Sequence, residues 1–454
     1  MGIEVVVLAA GQGKRMFSDL PKVLHRVAGK PMVEHVLDCA ADLSERSPIV
    51  VYGHGGNRLQ EDLSHRDLRW VEQAEQLGTG HAVQQTLSLL DDDGMVLILY
   101  GDVPLIRAQT LEALMEAAAP SGFAVLTAMM ENPTGYGRIV RSESGSFERI
   151  VEHKDASADE QKINEINTGI MALSAALLKR WIPTLQNDNA QAEYYLTDCV
   201  ALAVAEGLDV GSTILEDADE AMGVNNRRQL AYVEQVYRAR VANALMDTGV
   251  TLIDPARIDV RGTLSCGRDV VIEANVIFEG NVVLGDGVRI GPNTVIRDAQ
   301  LGAGSEVLSH CVIESATVGK GARIGPFARL RPEARLANDV HIGNFVEIKK
   351  SDIGDGSKVN HLAYVGDADV GRRVNVGAGT ITCNYDGAFK HKTVLEDDVF
   401  VGSDTQLVAP VTVGRGVTIG AGTTVTDDVE PERLVISRVR QKSISGWERP
   451  RKKK

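Results

Sequence analysis

Ile324-Gly325-Pro326-Phe327-Ala328-Arg329-Leu330-Arg331-Pro332-Glu333-Ala334-Arg335-Leu336-Ala337-Asn338-Asp339-Val340-His341-Ile342-Gly343-Asn344-Phe345-Val346-Glu347-Ile348 repeats an apolar residue every six positions. A helix brings residues three and four apart onto one face, and a strand brings every second residue, so neither holds a period of six. A hexapeptide period marks a parallel β-helix, in which each unit forms one side of a coil and its apolar residue points inward. The same step links Ile272, Phe278, Leu284, Ile290 and Ile296, and again Val401, Leu407, Val413, Ile419 and Val425. Five-residue steps intervene from Ile313 to Val318 and from Ile348 to Ile353. Glycine often follows the apolar residue, as at Gly291, Gly325, Gly343 and Gly420. A prism built this way has flat sides through which chains associate. Residues 377–392 break the register with a polar, glycine-rich run containing Asn384, Tyr385 and Lys390. A loop extruded from a rigid scaffold suits a binding site, and a passive insertion equally well.

Upstream, Leu230, Val233, Tyr237, Val241 and Leu245 recur at three- and four-residue steps, which predicts a long amphipathic helix ending near Gly249. The expected organisation is therefore a first domain over 1–226, a linker helix over 227–249 and the β-helix over 250–454. Within the first domain, apolar strands are expected at 5–8, 49–52, 95–100, 124–129 and 170–173. Amphipathic helices are expected at 32–43, 80–90 and 109–119. Such alternation implies a mainly parallel sheet covered on both faces. Ligands of such sheets lie beyond the carboxyl ends of the strands.

Composition narrows the function classes. The chain of 454 residues carries 62 acidic and 48 basic side chains, a net charge of −14. That balance argues against nucleic-acid binding and for small-molecule ligands. The five cysteines, at positions 39, 199, 266, 311 and 383, form no Cys-x-x-Cys pair, which fits a reducing cytoplasmic setting without structural zinc. No apolar run reaches membrane-spanning length.

The strand at 5–8 runs into Leu8-Ala9-Ala10-Gly11-Gln12-Gly13-Lys14-Arg15-Met16, with Lys22 close behind. A glycine-rich turn after a strand presents backbone N–H groups to phosphate oxygens, and Arg15 and Lys22 add positive charge. The spacing matches neither a Walker loop nor the dinucleotide fingerprint. Asp102 follows the apolar strand 95–100 and suits a divalent-cation ligand or a helix cap equally well. Asn225, in a turn at the end of the first domain, is a candidate second oxygen ligand. Residues 73–79 carry amides and a hydroxyl that suit a nucleobase or an ordinary loop. Gly135-Tyr136-Gly137-Arg138, Glu152 and Asn167-Thr168-Gly169 likewise suit a sugar or ordinary loops. In the β-helix, His361 suits a proton acceptor or a solvated surface side chain, and it has Tyr364, Asn384 and Tyr385 for company.

Linked motifs run the length of the chain in order: LAAGQGKRM (8–16), PKVLH (21–25), QLGTGHA (76–82), YGDVPL (100–105), PTGYGRI (133–139), EINTGI (165–170), GVNNR (223–227), RLRP (329–332), GNFVEIKK (343–350), HLAYVGDA (361–368), NVGAGTITCNYDG (375–387) and FVGSDTQLVAPV (400–411). With these motifs the chain resembles the bacterial bifunctional N-acetylglucosamine-1-phosphate uridylyltransferase/glucosamine-1-phosphate N-acetyltransferase family. The resemblance implies a Rossmann-like nucleotidyltransferase domain, a linker helix and a left-handed β-helix. It implies acetylation of glucosamine 1-phosphate by acetyl-CoA, then uridylyl transfer from UTP to N-acetylglucosamine 1-phosphate. It also implies Mg²⁺ and a homotrimer, with the acetyl-transfer site between subunits.

By the same resemblance, Leu8, Ala9, Gly11, Lys22, Gln73, Gly78 and Thr79 contact the nucleotide. Arg15 and Lys22 face its phosphates, Asp102 and Asn225 hold the metal, and Tyr100, Gly137, Glu152 and Asn167 contact the sugar. In the β-helix His361 is the implied general base, with Glu347 as its orienter. Arg331, Lys349, Tyr364, Asn375 and Asn384 are the implied sugar-phosphate and amine contacts. Ala378, Ser403, Ala421 and Arg438 contact acetyl-CoA, with Asn384 and Tyr385 nearby. A backbone N–H near Ala378 and the Tyr364 hydroxyl are both candidates for the oxyanion. The competing expectation is a single-activity sugar-phosphate nucleotidyltransferase with a regulatory β-helix.

Overall fold

The computed structural model describes residues 2–53 and 55–452, and the chain divides into compact units over Met1–Tyr237 and Arg238–Lys454. The first unit contains β1 (Ile3–Leu8), β2 (Arg26–Val27), β3 (Lys30–Pro31), β4 (Ile49–Tyr52), β5 (Arg69–Glu72), β6 (Met95–Tyr100), β7 (Phe123–Met129), β8 (Arg138–Arg141), β9 (Phe147–Val151), β10 (Glu165–Ser174) and β11 (Gly211–Leu215). Its helices are α1 (Met32–Ala40), α2 (Gly56–Asp62), α3 (Thr79–Gln84), α4 (Ala108–Ala118), α5 (Ala175–Trp181) and α6 (Asp198–Ala205). The main sheet runs β11-β7-β10-β6-β1-β4-β5, with β8 and β9 paired beside β10.

From Val5 to Leu8, strand β1 is apolar without interruption because both of its faces are covered. Val5 and Val7 pack on one side of the sheet with Val33, Val36 and Leu37 of α1 and Leu111 and Leu114 of α4. Val6 and Leu8 pack on the other side with Val83, Leu178 and Val200. Each such side chain, buried from both directions, contributes about 1.5–3 kcal/mol. The sheet is more mixed than expected. β10 runs antiparallel to β6 and β7, because the chain between β7 and β10 returns through the β8–β9 hairpin rather than a crossover helix. The helix expected over 80–90 stops at Gln84 and resumes as a 3₁₀ turn over Leu87–Leu89. There the buried Thr86 hydroxyl donates to the Val83 carbonyl at 2.7 Å and competes with helix propagation.

The long helix α7 spans Arg227–Asp247. Val233 joins Met16, Val27, Met32, Leu105 and Val224 in the first unit. Ala242 and Leu245 join the core of the second. No helix among the described residues is long and apolar enough to cross a membrane.

The second unit is a left-handed parallel β-helix. One face stacks Ile290, Val307, Ile324, Ile342, Val359, Val376, Val401 and Ile419 in parallel register. A second stacks Ile296, Ile313, Leu330, Ile348 and Val365, and a third Leu301, Val318, Leu336, Ile353 and Val370. All of these side chains are buried. The five-residue steps have one cause. They fall between the second and third faces, where Asp298, Ser315, Lys350 and Asp367 turn the corner at positive φ. One residue fewer at that corner gives coils of seventeen residues, as from Ile296 to Ile313, where three full hexapeptides would give eighteen. From Val376 the next register partner is Val401, so the coil at 377–392 carries eight extra residues. They form the loop whose ends meet at the Tyr385–Lys390 bridge.

Candidate functional sites

Leu8 and Tyr100 are register partners at the carboxyl ends of β1 and β6, so the loops that follow face each other. Between them opens a cleft of about 830 Å³ lined by Leu8, Ala9, Gly11, Lys22, Gln73, Gly78, Thr79, Tyr100 and Asp102. All seven positions expected to contact the nucleotide therefore share one cavity. Gly13 holds φ 61°, and a Cβ there would lie 2.8 Å from Lys22 Cβ, so the turn closes tightly over Lys22 only as glycine. Gln73 is buried, and its amide donates to the Gly78 carbonyl at 3.0 Å. Gln12, Gln76 and Gln73 form a chain across the cleft wall, with Gln12 Nε2 to Gln76 Oε1 at 3.0 Å and Gln76 Nε2 to the Gln73 carbonyl at 3.1 Å.

Lys22, Asp102 and Asn225 converge. The Lys22 ammonium pairs with the Asp102 carboxylate and donates to Asn225 Oδ1 at 3.2 Å. Val224 N donates to the Asp102 carbonyl at 2.9 Å, and Asn225 N donates to Gln229 Oε1 at 2.8 Å, which brings the end of the unit against β6. Arg227 extends this brace, with Nε donating to the Met16 carbonyl at 3.2 Å. A carboxylate and an amide oxygen within reach of one cation are a hard oxygen pair, so the residues fit a divalent ion. Among the described residues no three His, Cys, Asp or Glu side chains gather as a metal cage, so substrate oxygens and water would complete the coordination. Arg15 is exposed and lines a second compartment of about 720 Å³ with Asp102, Tyr136 and Asn225.

Tyr100 and Asp102 line both compartments. The Tyr100 ring packs against Gly169, where φ is 87° and a Cβ would lie 2.7 Å from the ring, at the register shift of β10. Burial, then the neighbouring Glu152 and Asp102 carboxylates, push the Tyr100 hydroxyl far above its ordinary value. Glu152 accepts from Thr197 Oγ1 at 3.2 Å, and burial holds its carboxyl above the usual range. The Glu152 carboxylate oxygens come within 3.5 Å of where a Cβ on Gly137 would stand. Asn167 N donates to the Gly137 carbonyl at 2.9 Å. The expected sugar contacts thus form one cluster around Tyr100.

In the β-helix, one corner carries a column. Asn344 and His361 are register partners. Above them the His361 carbonyl accepts from Gly379 N at 3.2 Å, the Ala378 carbonyl from Asp404 N at 2.7 Å and the Ser403 carbonyl from Gly422 N at 2.8 Å. Arg438 Nε caps the column on the Ala421 carbonyl at 3.2 Å. His361 therefore shares a ladder with Ala378, Ser403, Ala421 and Arg438. Its Nδ1 lies 2.8 Å from Asn344 Oδ1. That contact corrects the expectation for Glu347, which lies past the left-handed corner at Phe345 and pairs with Arg331 Nη1 at 2.8 Å. With Nδ1–H given to Asn344, Nε2 carries the free lone pair.

Around the corner, Arg331, Lys349, Tyr364 and Asn384 gather. Asn384 Nδ2 donates to Asp367 Oδ2 at 2.5 Å and reaches Tyr364 Oη at 3.4 Å. The neighbouring Lys349 ammonium holds Lys390 below its ordinary value. Two ammonium groups side by side make a seat for an anion. Lys390 and Asp367 also line a cleft of about 790 Å³. Asn375 stands apart, on the face that precedes the His361 corner, paired with Phe400. Tyr385 is exposed on the loop, its hydroxyl donating to the Gly387 carbonyl at 2.6 Å.

Sequence reasoning missed Gln229 and Asn344, and it read Gln76 and Lys390 only as members of polar candidate segments. Lys390 carried a signal, a lysine in the loop that breaks the repeat. Asn344 carried one only through the seventeen-residue coil, since it sits seventeen residues before His361. Gln229 has no local pattern.

Comparisons agree with both halves. The description "MobA-like NTP transferase domain" matches residues 5–164, "GMPPB C-terminal domain" matches 260–344, and "Bacterial transferase hexapeptide (six repeats)" matches 392–427. A bifunctional protein GlmU of Azoarcus sp. (strain BH72) is 58% identical over all of both chains. One from Methylococcus capsulatus is 57% identical over all of this chain and 98% of its own. One from Dechloromonas aromatica is 57% identical over all of both chains.

Proposed function

The chain belongs to the bifunctional GlmU family and is a transferase of two activities, uridylyl and acetyl transfer; we propose that each unit houses one of them. In the second unit, the amine of glucosamine 1-phosphate attacks the thioester carbonyl of acetyl-CoA. His361 Nε2 takes the proton from the attacking nitrogen, the new C–N bond forms, and the C–S bond breaks to release CoA. Arg331, Lys349 and Lys390 receive the sugar phosphate, where a fork and two point charges suit its oxygens. Acetyl-CoA lies along the Ala378–Ser403–Ala421 column toward Arg438, beside Asn384 and Tyr385. Asn375 and Tyr364 lie on different faces of the β-helix within one chain, which supports a site completed by a neighbouring copy in a homotrimer.

In the first unit, a phosphate oxygen of N-acetylglucosamine 1-phosphate attacks the α-phosphorus of UTP. The bond to the β-phosphate breaks and pyrophosphate leaves. This chain's part is positioning and charge neutralisation. Gln73, Gly78 and Thr79 hold the nucleotide, Tyr100, Gly137, Glu152 and Asn167 hold the sugar, and Arg15 and Lys22 meet the phosphates. Asp102 and Asn225 would hold Mg²⁺, which when bound would neutralise phosphate charge. UTP and acetyl-CoA as substrates support a cytoplasmic location.

The observation that carries the two-activity reading is the column that unites His361 with Ala378, Ser403 and Ala421, since a purely regulatory β-helix needs no proton acceptor there. Thiol release from acetyl-CoA with glucosamine 1-phosphate tests it. Absence of CoA release by a protein that still forms UDP-N-acetylglucosamine would leave the single-activity alternative.

A further inference from the structure

We propose that Lys22 is the resident cation of the metal position when no nucleotide is bound, and that the phosphates of the nucleotide open that position by drawing its ammonium away. The proposal rests on the reading of the first unit as a uridylyltransferase. Lys22 Nζ contacts both oxygens that a divalent ion would use, Asp102 Oδ2 and Asn225 Oδ1. Both side chains of the ion pair are mostly buried, at 12% and 14% exposure, so the Asp102 carboxylate would otherwise stand poorly solvated. A divalent ion and an ammonium cannot share one carboxylate oxygen and one amide oxygen without strong repulsion. The ammonium must therefore leave before the ion is held well.

The adjoining cleft gives it a place to go. Lys22 lies along the glycine turn, and a Cβ on Gly11 would stand 3.7 Å from its Nζ, so the side chain sweeps past bare backbone into the nucleotide cleft. Only an anion there repays the loss of Asp102. Arg15, on the other side of Asp102, makes no ion pair among the described residues and remains for the phosphates as well. Metal and nucleotide then bind with positive coupling, and by linkage each strengthens the other. Metal alone binds weakly, because it competes with a tethered ammonium.

The test is Mn²⁺ binding to the full-length protein without nucleotide, followed by electron paramagnetic resonance. Lys22→Gln and the near-isosteric Lys22→Met should bind Mn²⁺ at least tenfold tighter than the native protein, and Lys22→Arg should stay as weak. Adding Asp102→Asn to Lys22→Gln should remove the gain. Native-like circular dichroism is required of each variant. Equal or weaker Mn²⁺ binding in both neutral variants overturns the proposal, and so does a gain that survives Asp102→Asn. Equilibrium dialysis with UTP and Mg²⁺ on the native protein separates the two readings. Failure to bind UTP there refutes the nucleotide site, whatever Mn²⁺ does alone.

Discussion

Asn344→Ala tests how His361 is prepared for proton transfer. Asn344 sits one coil below His361 in register, and its Oδ1 lies 2.8 Å from His361 Nδ1. No second side chain bonds the His361 ring among the described residues, so this one contact sets both tautomer and ring plane. His361 is exposed, so the contact competes with water and is worth about 1 kcal/mol net, with an upper value near 1.5 kcal/mol. At about 1.4 kcal/mol per factor of ten, the expected loss is roughly 5- to 10-fold in kcat for acetyl transfer. Removing the proposed base, as His361→Ala, should cost about 10²–10⁴-fold. The assay is CoA thiol release, with pyrophosphate release as the internal control that stays unchanged. The double variant decides the route: if Asn344 acts only through His361, its removal has no further effect in the His361→Ala background. A full-rate Asn344→Ala enzyme, or an equal loss in both backgrounds, would refute the reasoning.

Asp102→Ala should abolish pyrophosphate release and spare CoA release, and His361→Ala the reverse; retained uridylyl transfer in the first variant rejects Asp102 as metal ligand. Burial, with like charges at Asp155, Asp198 and Glu193, holds the Glu152 carboxyl above the ordinary range, while Thr197 pulls it down. Because its folded value lies above its unfolded value, the neutral form's stabilisation is present at low pH and lost as pH rises through the folded value. Glu152→Gln should accordingly gain melting temperature over the native protein as pH rises toward neutral; a difference that is flat with pH contradicts this. Arg138 is 1% exposed with no carboxylate in ion-pairing range among the described residues, and it donates to the Tyr136 carbonyl and, at 3.4 Å, to that of Gln161. Arg138→Ala leaves those carbonyls unpaired beside Gly137, at about 1–3 kcal/mol of stability and a raised KM for N-acetylglucosamine 1-phosphate; an unchanged KM rules out the positioning role. Ile342→Ala, between Ile324 and Val359 in the β-helix stack, should cost about 2–5 kcal/mol in urea unfolding of the second unit, and a loss below about 1 kcal/mol means the stack re-collapses.

The six-residue period was enough to establish the β-helix, because a buried side chain in every unit leaves a signal that no helix or ordinary strand produces. The unbroken apolar run Val5–Leu8 was likewise legible, since both faces of that strand are covered. The motif residues expected to meet a nucleotide line one cavity. The antiparallel insertion of β10 was not, because strand direction depends on how the chain returns and leaves no mark on which residues are apolar. Nor was the partner of His361. Glu347 is nearer in sequence than Asn344, but the left-handed corner at Phe345 sends it to another face. The sequence by itself determined the repeat, the glycine turn and the identity of the charged groups, since periodicity and residue type are local properties. Tertiary structure alone decided which of those charges meet. Lys22, Asp102 and Asn225 are separated by up to 203 residues, and only the packing of the turn after Gly223 against the end of β6 sets them around one point.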